Sequence, residues 1–262
     1  MHGTGRDGQD AGRAGSLPEP PPAGGPSPGQ VHMPSGAGSN PENPAAGSGH
    51  GLGAEASAGQ PEIGGAPQDS GLSEAKAALR RQLLAGRRQL TAEARAEAGR
   101  DVRDSVLGLP ELQMAGTVAA YLSVGSEPDT RGLVFALWKR GTYVLLPVLQ
   151  ADGDLDWASY EGPDSLAAAP RGLLEPTEPR RGVTAITSAD LVLVPALAVD
   201  RAGRRLGRGG GSYDRALARV GASVQTVALL YQGEFLAELP AGRRDQPVRS
   251  VAVAGEGITR FG

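Results

Sequence analysis

Between Arg204 and Arg215 the chain reads Arg-Arg-Leu-Gly-Arg-Gly-Gly-Gly-Ser-Tyr-Asp-Arg, with glycine at four of the five positions 207–211. Such a stretch is poor material for the interior of a helix or strand, because glycine loses the most backbone freedom and offers no side chain to pack. It is a connection, and its neighbours say between what. Leu191-Val-Leu-Val-Pro195 is the most β-like run in the sequence and reads as a central strand, and Ala196 to Asp200 continues it as a short extended piece into a turn at Arg201-Ala-Gly203. After the glycines, Tyr213, Ala216, Leu217 and Val220 recur at helical spacing, which predicts a helix over 212–220. Glycine backbone can take positive φ and turn its N–H groups into a concave nest, and a helix start adds unpaired N–H groups. With Arg204, Arg205, Arg208 and Arg215 supplying positive charge, the stretch reads as a cradle for phosphate.

The rest of the chain divides by composition. Residues 1–70 are dominated by Gly, Pro, Ala and Ser and lack apolar clusters, so they are expected to be disordered, leaving 71–262 as a single domain. The 1–70 segment also lacks the basic start and apolar run of a secretory leader. Its charged residues are Arg6 and Arg13 against seven carboxylates, which leaves 71–262 only slightly basic, too little to indicate a nucleic-acid partner. All three histidines, His2, His32 and His50, fall in 1–70, and the chain has no cysteine. The domain is thereby without Ser-His-Asp or Cys-His catalysis, common zinc sites and disulfides. What remains is arginine, carboxylate, hydroxyl and backbone chemistry. Lack of cysteine fits a cytoplasmic protein, and no apolar run reaches membrane-spanning length.

From Ser73 to about Leu107 the pattern is helical, with Ser73 and Thr91 as expected N-caps of two helices. Lys76 and Arg80, four apart, share one face beside Leu79 and Leu83. Thr117–Ser123 and Thr142–Pro147 read as strands around a helix at Arg131–Arg140 capped by Asp129 or Thr130, an order that argues for parallel pairing. Glu127 then lies at a strand's C-terminal edge, where open α/β sheets bind ligands. Leu155–Tyr160, Gln225–Tyr231 and Val248–Val253 read as further strands, with a long loop through Gly172-Leu-Leu-Glu-Pro176, and Asp245 in a loop before the last strand.

The glycine loop matches neither the P-loop nor the dinucleotide fingerprint, since Gly211 is followed by Ser212 and Tyr213. The longer string from Asp200 to Arg215 resembles the signature of the 5-formyltetrahydrofolate cyclo-ligase family, Gly-x-Arg-Leu-Gly-x-Gly-x-Gly-Tyr-Tyr-Asp. Lys76-Ala-Ala-Leu-Arg80, Tyr121-Leu-Ser-Val-Gly-Ser-Glu127-Pro-Asp-Thr130, Gly172–Pro176, Val194-Pro195 and Asp245 fall in the family's order, so the resemblance spans about residues 73–254. It implies a three-layer α/β domain, an open, mainly parallel sheet flanked by helices in a Rossmann-like manner. It implies ATP- and Mg²⁺-dependent closure of 5-formyltetrahydrofolate to 5,10-methenyltetrahydrofolate, with ADP and phosphate released, by a cytoplasmic monomer. The implied ATP-binding residues are Lys76, Arg80, Arg205, Leu206, Gly207, Arg208, Gly209, Gly210, Gly211, Ser212 and Tyr213, with Arg208 and Tyr213 at the reacting phosphoryl group. Leu122 and Glu127 are the implied folate contacts, and Asp214 and Asp245 the implied Mg²⁺ ligands.

One position departs from the family: Ser212 stands where the first of two tyrosines lines the folate pocket. That departure motivates a second reading, a relative that holds nucleotide or folate without turnover. A third, sugar-phosphate isomerase-like chemistry, needs a general base, for which only a carboxylate such as Glu127 or Asp214 is at hand.

Overall fold

The computed structural model describes residues 66–261, so the expectation of disorder for 1–65 lies outside the described residues. Helix α1 runs Ala66–Gln89, which makes residues 66–70 helical rather than part of a disordered tail and puts Ser73 inside the helix instead of at its N-cap. Proline is tolerated in a first helical turn, where its missing N–H has no carbonyl to reach, and Pro67 falls there. The restart at Thr91 is as expected: its hydroxyl accepts from Ala94 N–H (3.2 Å) at the head of α2, Ala92–Leu107. A short α3, Pro110–Met114, leads into β1, Thr117–Ala119. β1 is shorter than its apolar run: pairing with β2 ends with Ala120 N–H on Leu145 O (2.9 Å), and the residues beyond bond to a side chain instead. There Thr130 ties the two ends of the segment, donating to Tyr121 O (2.6 Å) and accepting from Ser123 N–H (2.9 Å). Of the two proposed caps for α4, Arg131–Lys139, it is Asp129 that accepts from Arg131 N–H (3.1 Å).

Strands β2 (Tyr143–Leu149) and β3 (Leu155–Ser159) form an antiparallel pair, followed by the hairpin β4 (Leu166–Ala169) and β5 (Leu173–Pro176), where a long loop was expected. Then come β6 (Leu191–Pro195), β7 (Ala198–Asp200), β8 (Arg205–Leu206) and α5 (Ser212–Leu217). β9 (Gln225–Leu230), β10 (Phe235–Leu236), β11 (Ser250–Val253) and β12 (Gly257–Arg260) complete the chain. The main sheet has the order β12-β11-β9-β6-β1-β2-β3. Its five inner strands are parallel and both edge strands antiparallel. β6 is the middle strand, as its composition predicts.

Period-two alternation sorts these strands between two cores. Leu191, Leu193, Val227 and Leu229 face α2, α3 and α4, joining Val102, Val106, Leu112, Leu133 and Leu137. Val192, Val194, Ala228 and Leu230 face the opposite layer, with Trp157, Ile186, Ala216 and Leu217. Burial on both sides explains why the inner strands are continuous apolar runs. α5 is shorter than the helix expected to Val220, because Arg219 N–H and Val220 N–H close tight turns onto Ala216 and Leu217 carbonyls before Gly221.

A smaller sheet, β10-β7-β8, leaves the C-terminal end of β6 and carries the glycine loop. The turn between β7 and β8 is built on Asp200, which is fully buried. Its carboxylate accepts from Ala202 N–H (2.9 Å), Arg204 N–H (3.0 Å), Arg204 Nε (2.6 Å) and Leu239 N–H (3.0 Å). Gly203 is required there: φ is +77° and a Cβ would sit 2.5 Å from Val248 O. α1 lays Leu79 and Leu83 on Ala198, Leu206 and Leu239 of this unit. It is fastened by Arg87, 2% exposed, whose guanidinium donates to both oxygens of the buried Glu234 (2.6 and 2.8 Å) and to Ala196 O (2.7 Å).

Two expectations about stability follow from these contacts. Arg87→Ala strands a buried carboxylate and is expected to lower the unfolding free energy by about 3–5 kcal/mol in urea titrations, whereas a surface variant such as Arg100→Ala falls within about 0.5 kcal/mol of wild type. The second concerns Asp154, which ties the β2–β3 turn to α5. Its carboxylate lies below the ordinary aspartate range, chiefly because Arg219 donates to it, with Leu155 N–H helping against the opposing effect of burial. A depressed carboxylate stabilises the fold above its unfolded value of about 4 and loses that contribution as pH falls through the folded value. Asp154→Asn is therefore expected to show a shallower loss of stability than wild type when unfolding is followed from pH 6 down to pH 3.

Candidate active site

The C-terminal edge of the parallel sheet opens into a cavity of about 580 Å³, within the range of ligand sites. Every site residue that the family resemblance implies lines it: Lys76 and Arg80 from α1, Leu122 and Glu127 after β1, the whole run Arg205–Asp214, and Asp245. Residues more than 160 positions apart thus converge because α1 packs on the small sheet that holds the glycine loop.

The loop is shaped by two of its four glycines, Gly209 (φ +103°) and Gly211 (φ +70°). Gly207 is needed for closeness, since a Cβ there would lie 2.5 Å from Arg205 Nη1. Arg205 is almost wholly buried and bridges the end of β6 to the start of α5, donating to Pro195 O (3.2 Å) and to Asp214 Oδ1 (2.8 Å). Its guanidinium lies over the Tyr213 ring, 6.0 Å from the centroid. Arg80 Nε donates to Gly207 O (2.9 Å), holding α1 to the loop. Lys76 is paired with Asp245, whose Oδ2 also accepts from Gly242 N–H (2.7 Å). Arg208, half exposed, pairs with Glu127 (3.1 Å) and donates to Val124 O (3.1 Å). Glu127's other oxygen accepts from Val124 N–H (2.9 Å).

Not all the arginines of the string serve the loop's charge. Arg204 turns away to Asp200 and Glu238, and Arg215 donates to Gly153 O and lies 3.8 Å from Asp154. Both consolidate turns, which leaves Arg205 and Arg208 as the string's cations on the cavity. Ser212 has a definite place: its hydroxyl donates to Gly153 O, so it joins Arg215 and Arg219 in docking α5 against the β2–β3 turn.

Tyr213 and Tyr121 both line the cavity, and each hydroxyl is buried without a hydrogen-bond partner among the described residues. Burial, and then the negative charge of Glu127, pushes both phenols up from their ordinary value. Both stay protonated at neutral pH, so each offers an O–H donor and neither a base. For cations, the cavity offers the hard oxygens of Asp214 and Asp245, each with one oxygen unengaged among the described residues. Among those residues no group of three or more His, Cys, Asp or Glu side chains gathers around one point. The carboxylate pair fits an ion that takes its remaining ligands from phosphate and water, as Mg²⁺ does.

Several lining residues escaped the sequence reading. Leu149, Leu155, Leu173 and Leu174 make an apolar wall, and Arg171 and Glu175 stand on the β4–β5 hairpin beside it. The one signal for them was Gly172–Pro176, which the family resemblance picked out without a role. Among the described residues no helix is long and apolar enough to cross a membrane.

A model of the 5-formyltetrahydrofolate cyclo-ligase family matches residues 72–254. The 5-formyltetrahydrofolate cyclo-ligase of Mycolicibacterium smegmatis is 41% identical over 189 residues, which cover 70% of this chain and 95% of that one. The enzyme of the same name from Escherichia coli is 34% identical, over 63% of this chain and 92% of its own. Among solved structures, the 5,10-methenyltetrahydrofolate synthetase of Aquifex aeolicus superposes with a TM-score of 0.63 at 28% identity, covering 71% of this chain and 92% of that one. The synthetase from Mycoplasma pneumoniae, at 18% identity and a TM-score of 0.54, shares the fold. With the match running from α1 to the end of β11, the chain belongs to the 5-formyltetrahydrofolate cyclo-ligase family.

Proposed function

We propose that this chain closes 5-formyltetrahydrofolate to 5,10-methenyltetrahydrofolate at the expense of ATP, releasing ADP and phosphate, with the cavity under the glycine loop as its active site. The observation that carries this reading is the convergence of Lys76, Arg80, Arg205, Arg208 and the glycine backbone on a cavity that also has an apolar wall. Cations and free N–H groups suit a triphosphate, and apolar surface suits the folate rings.

In this reading the formyl oxygen attacks the γ-phosphorus, ADP leaves, and N10 then attacks the activated formyl carbon. Loss of phosphate and of the N10 proton completes the new ring. The protein supplies no nucleophile. Its tasks are alignment and charge, the terms that dominate phosphoryl transfer. Lys76, Arg80 and the 207–211 backbone hold the phosphates. Arg205 is too enclosed to move and fixes the loop, Asp214 and the Tyr213 ring in place. Tyr213, a protonated phenol with no protein acceptor among the described residues, donates to an oxygen of the transferring group.

Arg208 is the exposed cation of the loop, half accessible beside its partner. Its partner Glu127 is also the residue expected to meet the N–H groups of the pterin, beside Leu122. A pterin engaging Glu127 loosens the Arg208 ion pair and frees the guanidinium for the phosphoryl group, so folate binding prepares the site for transfer. Asp214 and Asp245 hold Mg²⁺ together with the phosphates, and the ion supplies Lewis-acid neutralisation of phosphate charge when bound. Ser212, hydrogen-bonded to Gly153 O, keeps the loop anchored against the β2–β3 turn. We further propose that the chain acts as a monomer in the cytoplasm, where ATP is at hand.

The test is the appearance of methenyl absorbance in step with ADP release, dependent on Mg²⁺ and on 5-formyltetrahydrofolate. If the purified chain binds both ligands by calorimetry yet forms no product, it is a binding relative instead. Arg208→Ala, at an exposed position that leaves the fold intact, is expected to lower kcat at least ~100-fold; wild-type kinetics would remove Arg208 from the site. Tyr213→Phe keeps the ring over Arg205 and deletes the donor, and is expected to cost kcat roughly 10–100-fold with little change in KM for ATP.

A further inference from the structure

Five cations line the cavity, and four have partners in the protein: Lys76 on Asp245, Arg80 on Gly207 O, Arg205 on Asp214, Arg208 on Glu127. The fifth, Arg171, has no ion pair, side-chain hydrogen bond or ring contact among the described residues. Its backbone is equally distinctive. Arg171 (φ +63°) is the one non-glycine residue with positive φ among the described residues. With Gly172 (φ +74°) it occupies the centre of the Pro170–Leu173 turn joining β4 to β5, closed by Leu173 N–H onto Pro170 O. Two successive positive φ values are the mark of a tight hairpin turn that favours Asn, Asp or Gly at its first central position. Arginine there works against the turn, so the turn does not explain the choice of side chain.

The surroundings say what the side chain faces. Leu173 and Leu174 from the same hairpin continue the apolar wall with Leu149 and Leu155, paired across β2 and β3. Glu175, the nearest carboxylate in the hairpin, is held by Leu149 N–H (2.9 Å), which also joins β5 to β2. An unpartnered guanidinium on the rim of an apolar wall matches a ligand with an aromatic body and an anionic tip. Resting on the folate reading above, we infer that Arg171 is a specificity residue that binds a carboxylate of the substrate's glutamate tail, outside the phosphate cradle. It thereby selects folates that carry the charged tail.

Arg171→Asn installs a residue the turn prefers, so the hairpin is retained. The comparison uses 5-formyltetrahydrofolate and its glutamate bis-amide, which has the same length and no tail charge. Arg171→Asn is expected to raise KM and Kd for the natural substrate roughly three- to ten-fold, the range of a single exposed charge-assisted pair. The variant and wild type should then bind the bis-amide alike, ATP KM should stay unchanged, and Arg171→Lys should restore most of the loss. An equal loss on the bis-amide would make the residue structural, and a rise in ATP KM would assign it to phosphate; either overturns the inference. Calorimetry without ATP separates this from the reaction itself: a wild type that binds the folate but makes no product defeats the turnover reading while the Arg171 comparison still stands. Failure of the wild type to bind the folate defeats both.

Discussion

The site depends on one buried guanidinium. Arg205 links the carbonyl at the end of the central strand to Asp214 in the first turn of α5, and its Nη1 fills the space a side chain at Gly207 would need. Arginine suits this task because its planar fork presents several donors in fixed directions and stays charged when enclosed. Around it the glycine loop has little room for alternative paths. Arg80 holds the loop from the side of α1, and Ser212 and Arg215 hold it from the β2–β3 turn. A backbone rich in glycine is thus made rigid by its neighbours and keeps its N–H groups available to an anion.

A second constraint is charge balance before any ligand arrives. Three of the cradle's four cations, Lys76, Arg205 and Arg208, are held by Asp245, Asp214 and Glu127, while Arg80 rests on a carbonyl, so most of the positive charge is balanced within the cavity. The arrangement is graded by exposure. Arg205 is nearly inaccessible and Arg208 half exposed, so the two differ in how far solvent and anything entering the cavity can reach them. α1, which brings Lys76 and Arg80, is secured by the Arg87–Glu234 pair, whose third bond ends on Ala196 at the cavity wall. Stability of the scaffold and placement of the cradle therefore share a residue.

Much of this was legible in the sequence. The continuous apolar runs identified the inner strands, because both faces of a parallel sheet are buried, and the glycine string marked the candidate site. Short or local elements were less legible. The strands of the β4–β5 hairpin and β12 are four residues each and largely half-buried or exposed, so none shows the fully buried run that marks an inner strand. The charge count of the string misled in part, since Arg204 and Arg215 look like Arg205 and Arg208 until Asp200 and Gly153 are seen beside them.

What the sequence determined by itself was the inventory: a domain with arginines, carboxylates and free backbone in place of histidine and cysteine, and a string whose order marks the family. Those are properties of residue types and spacing, and they limit the chemistry whatever the chain's path. Which cations face the cavity, which are spent on turns and which lacks a partner was decided by tertiary structure alone. A side chain's charge is carried in its covalent formula, but its availability depends on acceptors supplied by segments far away in the chain, and on whether water still reaches it.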